Sequence, residues 1–166
     1  MRIVHAGRLL VLCGVVSALL PAVPAMAAVD AYMTVEGVRQ GPIKGDGMSE
    51  KIRLVSVVRD TPMASRMPTG RRMHSTITIT KTMDAASPKF QAALVNNETM
   101  KTVTITFLGG SGGEKTAQRI VLTNATILSV RKAGGDKEQI TLDYQAIEVT
   151  WVNGGKTMSD DWEAPK

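Results

Sequence analysis

Regular alternation of apolar residues with threonine constrains the fold of this chain more than any other feature. In two stretches, every second position is apolar and the position between is threonine. The apolar positions are Ile77, Ile79, Val103, Ile105 and Phe107, and the threonines are Thr76, Thr78, Thr80, Thr102, Thr104 and Thr106. Because successive strand side chains point to opposite faces, this pattern indicates antiparallel strands with one buried face. Threonine suits the other face, since it is β-branched and can meet water.

Further strand candidates are separated by glycine and proline clusters. The predicted strands are residues 29–35, 51–58, 73–82, 102–107, 118–130 and 138–151. In the second of these, we expect Ile52, Leu54 and Ser56 on one face and Val55 and Val57 on the other. Prolines and a glycine make residues 59–70 a predicted long loop. Residues 133–136 predict a hairpin between the last two strands.

One segment is predicted to be helical. Ser87 can accept hydrogen bonds from free backbone amides at the helix start, and Pro88 suits the first helical position. Phe90, Ala93 and Leu94 follow at helical spacing, and Asn96-Asn97 can end the helix. A helix this short requires packing against the sheet to be stable.

These elements predict a mainly β fold, a small antiparallel β-barrel of two packed sheets with one short flanking α-helix. A closed barrel, a nearly closed barrel and a two-layer sandwich all remain compatible with the pattern. An outer-membrane barrel is not expected, because it requires at least eight strands and two aromatic girdles. Only six aromatic residues follow residue 27.

The first 27 residues have the features of a secretory signal. Arg2 and Arg8 precede the uncharged apolar run 9–20, two prolines follow it, and Ala25-Met26-Ala27 offers small residues for a signal peptidase. We therefore predict cleavage after Ala27, leaving residues 28–166 as a single domain. An uncleaved anchor is the alternative, since about 20 apolar residues can span a bilayer.

Composition limits the partners and the stabilising chemistry. The one cysteine, Cys13, lies in the signal, so no disulfide is expected and apolar burial must hold the domain. The net charge of +5 falls to +3 without Arg2 and Arg8. Basic residues concentrate in residues 51–72, but no aromatic residue lies between Tyr32 and Phe90, so nucleic-acid binding is not expected. A solvated loop or a subunit contact is the expected use of this segment.

No combination of residues predicts catalysis, a metal site or a cofactor. Residues 109–113 match G-x-S-x-G, but the nucleophile elbow requires a following helix and a later histidine, whereas a strand is predicted next. His74 is the only histidine after the signal, too few for an ordinary zinc site. Nearby methionines could suggest copper, but neighbouring arginines would repel a cation. Residues 45–47 lack the alternating carboxylates of a calcium loop.

Four segments together resemble the Hcp family of type VI secretion tube proteins. They are residues 29–38; residues 74–90, including Thr80-Lys81, Asp84 and Ser87-Pro88; residues 120–125; and residues 140–144. The resemblance implies a small β-barrel that assembles into a hexameric ring, with rings stacking into a tube. It also implies a spike, a sheath and small effector proteins as partners. By analogy, the long loop would lie at contacts between subunits or rings, which gives Arg59, Arg66, Arg71 and Arg72 as candidate interface residues.

The leading functional prediction is therefore a non-enzymatic, ring-forming structural protein or a secreted effector and carrier of the Hcp type. Tube-building members of the family lack a cleavable signal, and this chain departs from them there. The alternative is an exported monomeric β-barrel that binds a ligand and has no role in a tube. Stable membrane insertion is not expected under either function.

The signal assignment predicts the first residue of the exported protein. Mass spectrometry of the chain recovered outside the inner membrane should give a species that begins at Ala28, because the small residues before it suit a signal peptidase. A chain that still carries residues 1–27 would identify an anchor instead.

Overall fold

We describe residues 30–60, 75–109 and 115–161 in a computed structural model of the protein. In this part of the chain there are nine β-strands and one α-helix. The strands are β1 (Ala31–Gly37), β2 (Gly41–Ile43), β3 (Ile52–Leu54), β4 (Ser56–Arg59), β5 (Ile77–Thr82), β6 (Thr99–Gly109), β7 (Lys115–Lys132), β8 (Lys137–Trp151) and β9 (Lys156–Asp161). The helix α1 is Ser87–Val95, and short 3-10 turns span Asp46–Met48 and Val152–Gly154. The predicted mainly β fold with one short helix is confirmed.

All strands belong to one antiparallel sheet. The order across it is β2-β1-β6-β7-β8-β5-β4, while β3 pairs with β1 and β9 pairs with β8. The predicted hairpin between the two longest strands is present, since β7 and β8 pair from Gln118 and Trp151 to Lys132 and Glu138. On its other side, β8 pairs first with β5 and then with β9. The strands in this order therefore share one continuous inner face.

The threonine alternation defines that inner face as predicted. Ile77, Ile79, Val103 and Ile105 are fully buried. Phe107 is half-buried and packs against the core, as predicted, whereas Thr106 departs from the prediction, since only 3% of it is accessible. The register between β6 and β7 shifts immediately after Phe107 because β7 has an extra residue there, with Phe107 opposite Gln118 and Leu108 opposite Thr116.

The predicted strand 51–58 is two strands, because the chain changes partner at Val55. β3 pairs with β1, whereas β4 pairs with β5, and Val55 between them is 40% exposed. Its amide donates a hydrogen bond to the carbonyl oxygen of Thr80 at 2.7 Å. The change of partner shifts the alternation, so Val57 packs against the core and the prediction for Ser56 is wrong.

Helix α1 lies against β7 and buries one side. Phe90 and Ala93 are 1% exposed, and Leu94 packs at the margin of the core. The predicted end of the helix is confirmed, since Asn96 is its C-cap and donates its amide hydrogen to the carbonyl of Ala92. β9, which no sequence pattern predicted, adds an exposed strand beside the second half of β8.

Candidate assembly surface

The outer face of the sheet is rich in hydroxyl groups. Thr34 pairs with Thr104, Thr104 with Val121, and Val121 with Glu148, so one row of outward side chains crosses four strands. We name the outward residues of β1, β3, β6, the first half of β7 and the second half of β8 the β6 face. Its threonines are Thr34, Thr102, Thr104, Thr123 and Thr150. A polar sheet face of this kind can contact another protein through an interface that retains water molecules.

Charges are unevenly distributed on the β6 face. At one border, Arg53 pairs with Tyr32, Arg119 pairs with Thr106, and Nζ of Lys51 lies 4.8 Å from the centre of the Tyr32 ring. Tyr32, Lys51 and Arg53 line a hollow of about 230 Å³ there, together with Asp30. Toward the opposite border, Glu36 and Glu50 line an open groove of about 340 Å³. Each of these two carboxylates is paired with a lysine, Glu36 with Lys101 at 3.5 Å and Glu50 with Lys44 at 3.8 Å.

A second hydroxyl-rich surface covers β4, β5, the first half of β8 and the second half of β7, and we name it the β5 face. Thr76 and Thr78 each donate a hydrogen bond to Oδ2 of Asp60 at 3.2 Å. The hydroxyls of Thr78 and Thr141 are 3.3 Å apart. Arg131 lies opposite Gln139, near the β7–β8 hairpin. Thr80 departs from the expected exposure, since only 9% of it is accessible.

Of the predicted interface arginines, the structure describes Arg59 alone. It is exposed at the end of β4, and its Nε donates to the hydroxyl of Ser75 at 3.4 Å. Arg66, Arg71 and Arg72 lie outside the described residues, as do His74 and the predicted cleavage residue Ala27.

A buried ionic cluster joins the sheet to the helix. Lys81 has no exposed surface, and its Nζ lies 2.6 Å from Oδ1 of Asp84 and 3.0 Å from Oε1 of Glu138. It also donates to the carbonyl of Thr82 at 2.7 Å and to the hydroxyl of Ser87 at 3.3 Å. These partners satisfy a cation that would otherwise be costly to bury.

The role predicted for Ser87 is wrong. The N-cap of α1 is Ala86, which makes no side-chain cap, and Ser87 is the first residue of the helix. Its hydroxyl instead accepts the amide hydrogen of Asp84 at 3.0 Å and donates to Glu138 at 2.6 Å. Ser87 therefore belongs to the ionic cluster, because its hydroxyl is directed toward the sheet.

A pattern in the sequence could have revealed this cluster. Lys81 follows Ile77 and Ile79 at the same two-residue period, so it must point inward with them. Glu138 precedes the buried Ile140 at the same period on β8, and the two charged residues are paired in register. Lys81, Asp84 and Ser87 are among the residues that resemble the Hcp family, but the resemblance implies no structural role for them.

Glu98 forms a second buried polar site, which sequence reasoning missed. Its Oε1 accepts the backbone amides of Arg39 at 2.8 Å and Gln40 at 2.9 Å, and its Oε2 accepts the Gln40 side chain at 3.0 Å. Burial opposes the charged form, but these hydrogen bonds and the Arg39 charge outweigh it and hold the pKa of Glu98 below its usual value. Since the partners are more than 50 positions apart, no local pattern could have identified them.

The described residues offer little for catalysis. They contain no group of three or more histidine, cysteine, aspartate or glutamate side chains that could hold a metal ion. The end of β6 at Gly109 is followed, after residues 110–114, by strand β7 rather than by the helix of a nucleophile elbow. Within the same ranges, no helix has the length and apolar character needed to cross a membrane.

Comparison with known proteins connects this chain to a family. Residues 32–151 match the family described as "Type VI secretion system effector, Hcp". The "Major exported protein" of Pseudomonas aeruginosa is 28% identical over 170 residues, covering 83% of this chain and 98% of the relative. The secreted protein Hcp3 of the same species is 26% identical, with a TM-score of 0.67 over 82% of this chain and all of that one. A mutant Hcp1 from E. coli shares the fold, at 24% identity and a TM-score of 0.68, over the same shares of the two chains.

Lys81→Met should destabilise the protein by about 3–5 kcal/mol, because Glu138 and Asp84 would keep buried charges without their cation. The matched control is Lys101→Met, which removes an exposed lysine whose Nζ lies 3.5 Å from Glu36. We expect the control to cost less than about 1 kcal/mol. Urea unfolding of both variants measures the difference, and equal losses would contradict the assigned role of Lys81.

Glu98 should make stability depend on pH. Because its folded-state pKa is lowered, its contribution is fully present above the unfolded value of about 4.3 and is lost as the pH falls through the folded value. The difference in unfolding free energy between the native protein and Glu98→Gln should therefore shrink from pH 6 to pH 3. Glu148→Gln, at an exposed site, controls for the loss of one charge. A difference that is constant with pH would refute this linkage.

Proposed function

Because this chain belongs to the Hcp family of the type VI secretion system, we propose that six copies form a ring and that rings stack into a tube. The chain is an Hcp-type tube or effector protein, a structural and non-enzymatic role. The family forms hexameric tube rings. The observation that carries the proposal for this chain is the pair of hydroxyl-rich outer faces around one apolar interior. Such faces can meet neighbouring copies on the two sides of each protomer.

Closure of the sheet into a barrel is part of this proposal. It is supported by the continuous run 52–59, in which β3 pairs with β1 at one border of the sheet and β4 pairs with β5 at the other. The hydrogen bond from Val55 to Thr80 joins the two pairings where they meet. A closed sheet has no edge there, which lowers the risk of aggregation before assembly.

The proposed ring places the long loop at contacts between subunits or rings. Arg59 is exposed where this loop begins, which is consistent with such a contact. We extend the proposal to Arg66, Arg71 and Arg72, and to a spike, a sheath and small effectors as further partners. Acidic groups on a neighbouring copy would complement these arginines.

We further propose that the protein is exported after removal of residues 1–27. Two relatives are described as exported and secreted, which supports this destination. The relative from P. aeruginosa is covered almost completely, although about a sixth of this chain remains unmatched, and the family match begins at residue 32. A signal segment that precedes the family domain would account for both facts.

Light scattering of the purified full-length chain or its exported form should give a mass near six protomers at micromolar concentration, because the outer faces would be covered by neighbours. A protein that remains monomeric there would favour the exported binding module instead.

Replacing Arg71 and Arg72 with glutamate should weaken rings or their stacking, since it reverses two charges of the proposed contact. If that variant assembles as the native protein does, the loop is not an interface.

A further inference from the structure

We propose that in the ring the β6 face of one copy packs against the β5 face of the next, in a register set by opposite charges. The occupant of each face is therefore a second copy of this chain. This inference rests on the proposed hexameric ring and adds to it the two surfaces that meet and the residues that align them.

The β6 face is basic at one border, and toward the other border it carries carboxylates that are paired with lysines. Arg53 and Arg119 are aligned with Tyr32, near the start of β1, through the pairings of β3, β6 and β7. Glu36 lies four positions later on β1, and Glu148 lies in the row between them. Along β1, the face therefore changes from a positive border to carboxylates, of which Glu36 is paired with Lys101 at 3.5 Å.

The β5 face begins with a negative charge and ends with positive charges. Asp60 lies beside Thr76, the residue before β5, because its amide donates a hydrogen bond to the carbonyl of Thr76 at 3.0 Å. Four positions later, Thr80 pairs with Gln139, which pairs with the exposed Arg131. Lys137 follows opposite Thr82. Along β5, the face therefore changes from negative to positive.

β1, on the β6 face, and β5, on the β5 face, run in the same direction. β3 is antiparallel to β1 and β4 is antiparallel to β5, while β3 and β4 follow one another in a single run. In the order across the sheet, three steps separate β6 from β5, so in a barrel their outer faces point to opposite sides. A ring generated by rotation keeps this direction common to all copies. The basic border of the β6 face of one copy then meets the acidic border of the β5 face of the next.

The spacing of charges also matches. The step from Tyr32 to Glu36 and the step from Thr76 to Thr80 both span four residues, or about 13 Å along a strand. Both faces have threonines between their charged borders. Neutral hydroxyls allow close contact, while the charged borders select one alignment and disfavour others.

Charge reversal at one predicted pair tests this register. Arg119→Glu changes the β6 face and Asp60→Lys changes the β5 face, and both side chains are exposed. In either variant alone, every contact of the ring opposes like charges. We expect the protomer concentration at half-assembly, measured by light scattering, to rise about tenfold or more. Unfolding midpoints near the native value would show that the folds are intact.

An equal mixture of the two variants should assemble as the native protein does. In a ring that alternates them, the Arg119→Glu side chain of one copy would oppose the Asp60→Lys side chain of the next, and the native Arg119 would oppose the native Asp60. As a control, Arg119→Glu mixed with Arg131→Glu should not recover, because the Arg119→Glu carboxylate would still meet Asp60. If Asp60→Lys fails to fold, Asp60→Asn in the Arg119→Glu chain should restore assembly partly by removing the opposing charge.

The outcomes separate this inference from the proposed function. Native rings with unaffected single variants, or a mixture that fails to recover, would overturn the register and leave the ring standing. A native protein that never reaches the hexamer mass would overturn the proposed function and the register with it. Weakened single variants and a restored mixture support both.

Discussion

The contact between buried Lys81 and Glu138 is the constraint on which the rest of this structure depends. The cation lies on the inner face of β5 and its partner on the inner face of β8, in register with each other. A shift of one residue would move either charge to the other face of the sheet and leave its partner unpaired in the interior. The ion pair thus links stability to one strand alignment.

The same cluster fixes the position of the helix. Asp84 accepts from Lys81 and from the amide of Ala86, while Ser87 connects Asp84 to Glu138. The turn between β5 and α1 is therefore tied to the β7–β8 hairpin. Glu98 performs a similar role at the other end of the helix, because it accepts two amides from the turn between β1 and β2. Three carboxylates consequently hold a short helix that would be marginal alone.

A rigid, two-faced sheet provides what a ring-forming protein needs. In the described part of the chain the interior is mainly apolar and its buried charges are paired, so the protein can present hydroxyl and charged groups outward without losing its core. Electrostatic order on the outer faces can then determine how copies align, while the threonines between the charges tolerate water. Stability and assembly are thus assigned to opposite faces of the same strands.

The sequence by itself determined the strand alternation, the single helix and the identity of most core positions, because a two-residue period directly gives the face of each side chain. The same period also contained the inward direction of Lys81 and Glu138. Tertiary structure alone decided where the strands change partner or register, at Val55 and after Phe107, since a change of strand partner or an inserted residue leaves no local signal. It also decided the partners of Glu98 and the order of charges across the outer faces, because these depend on residues brought together from distant parts of the chain.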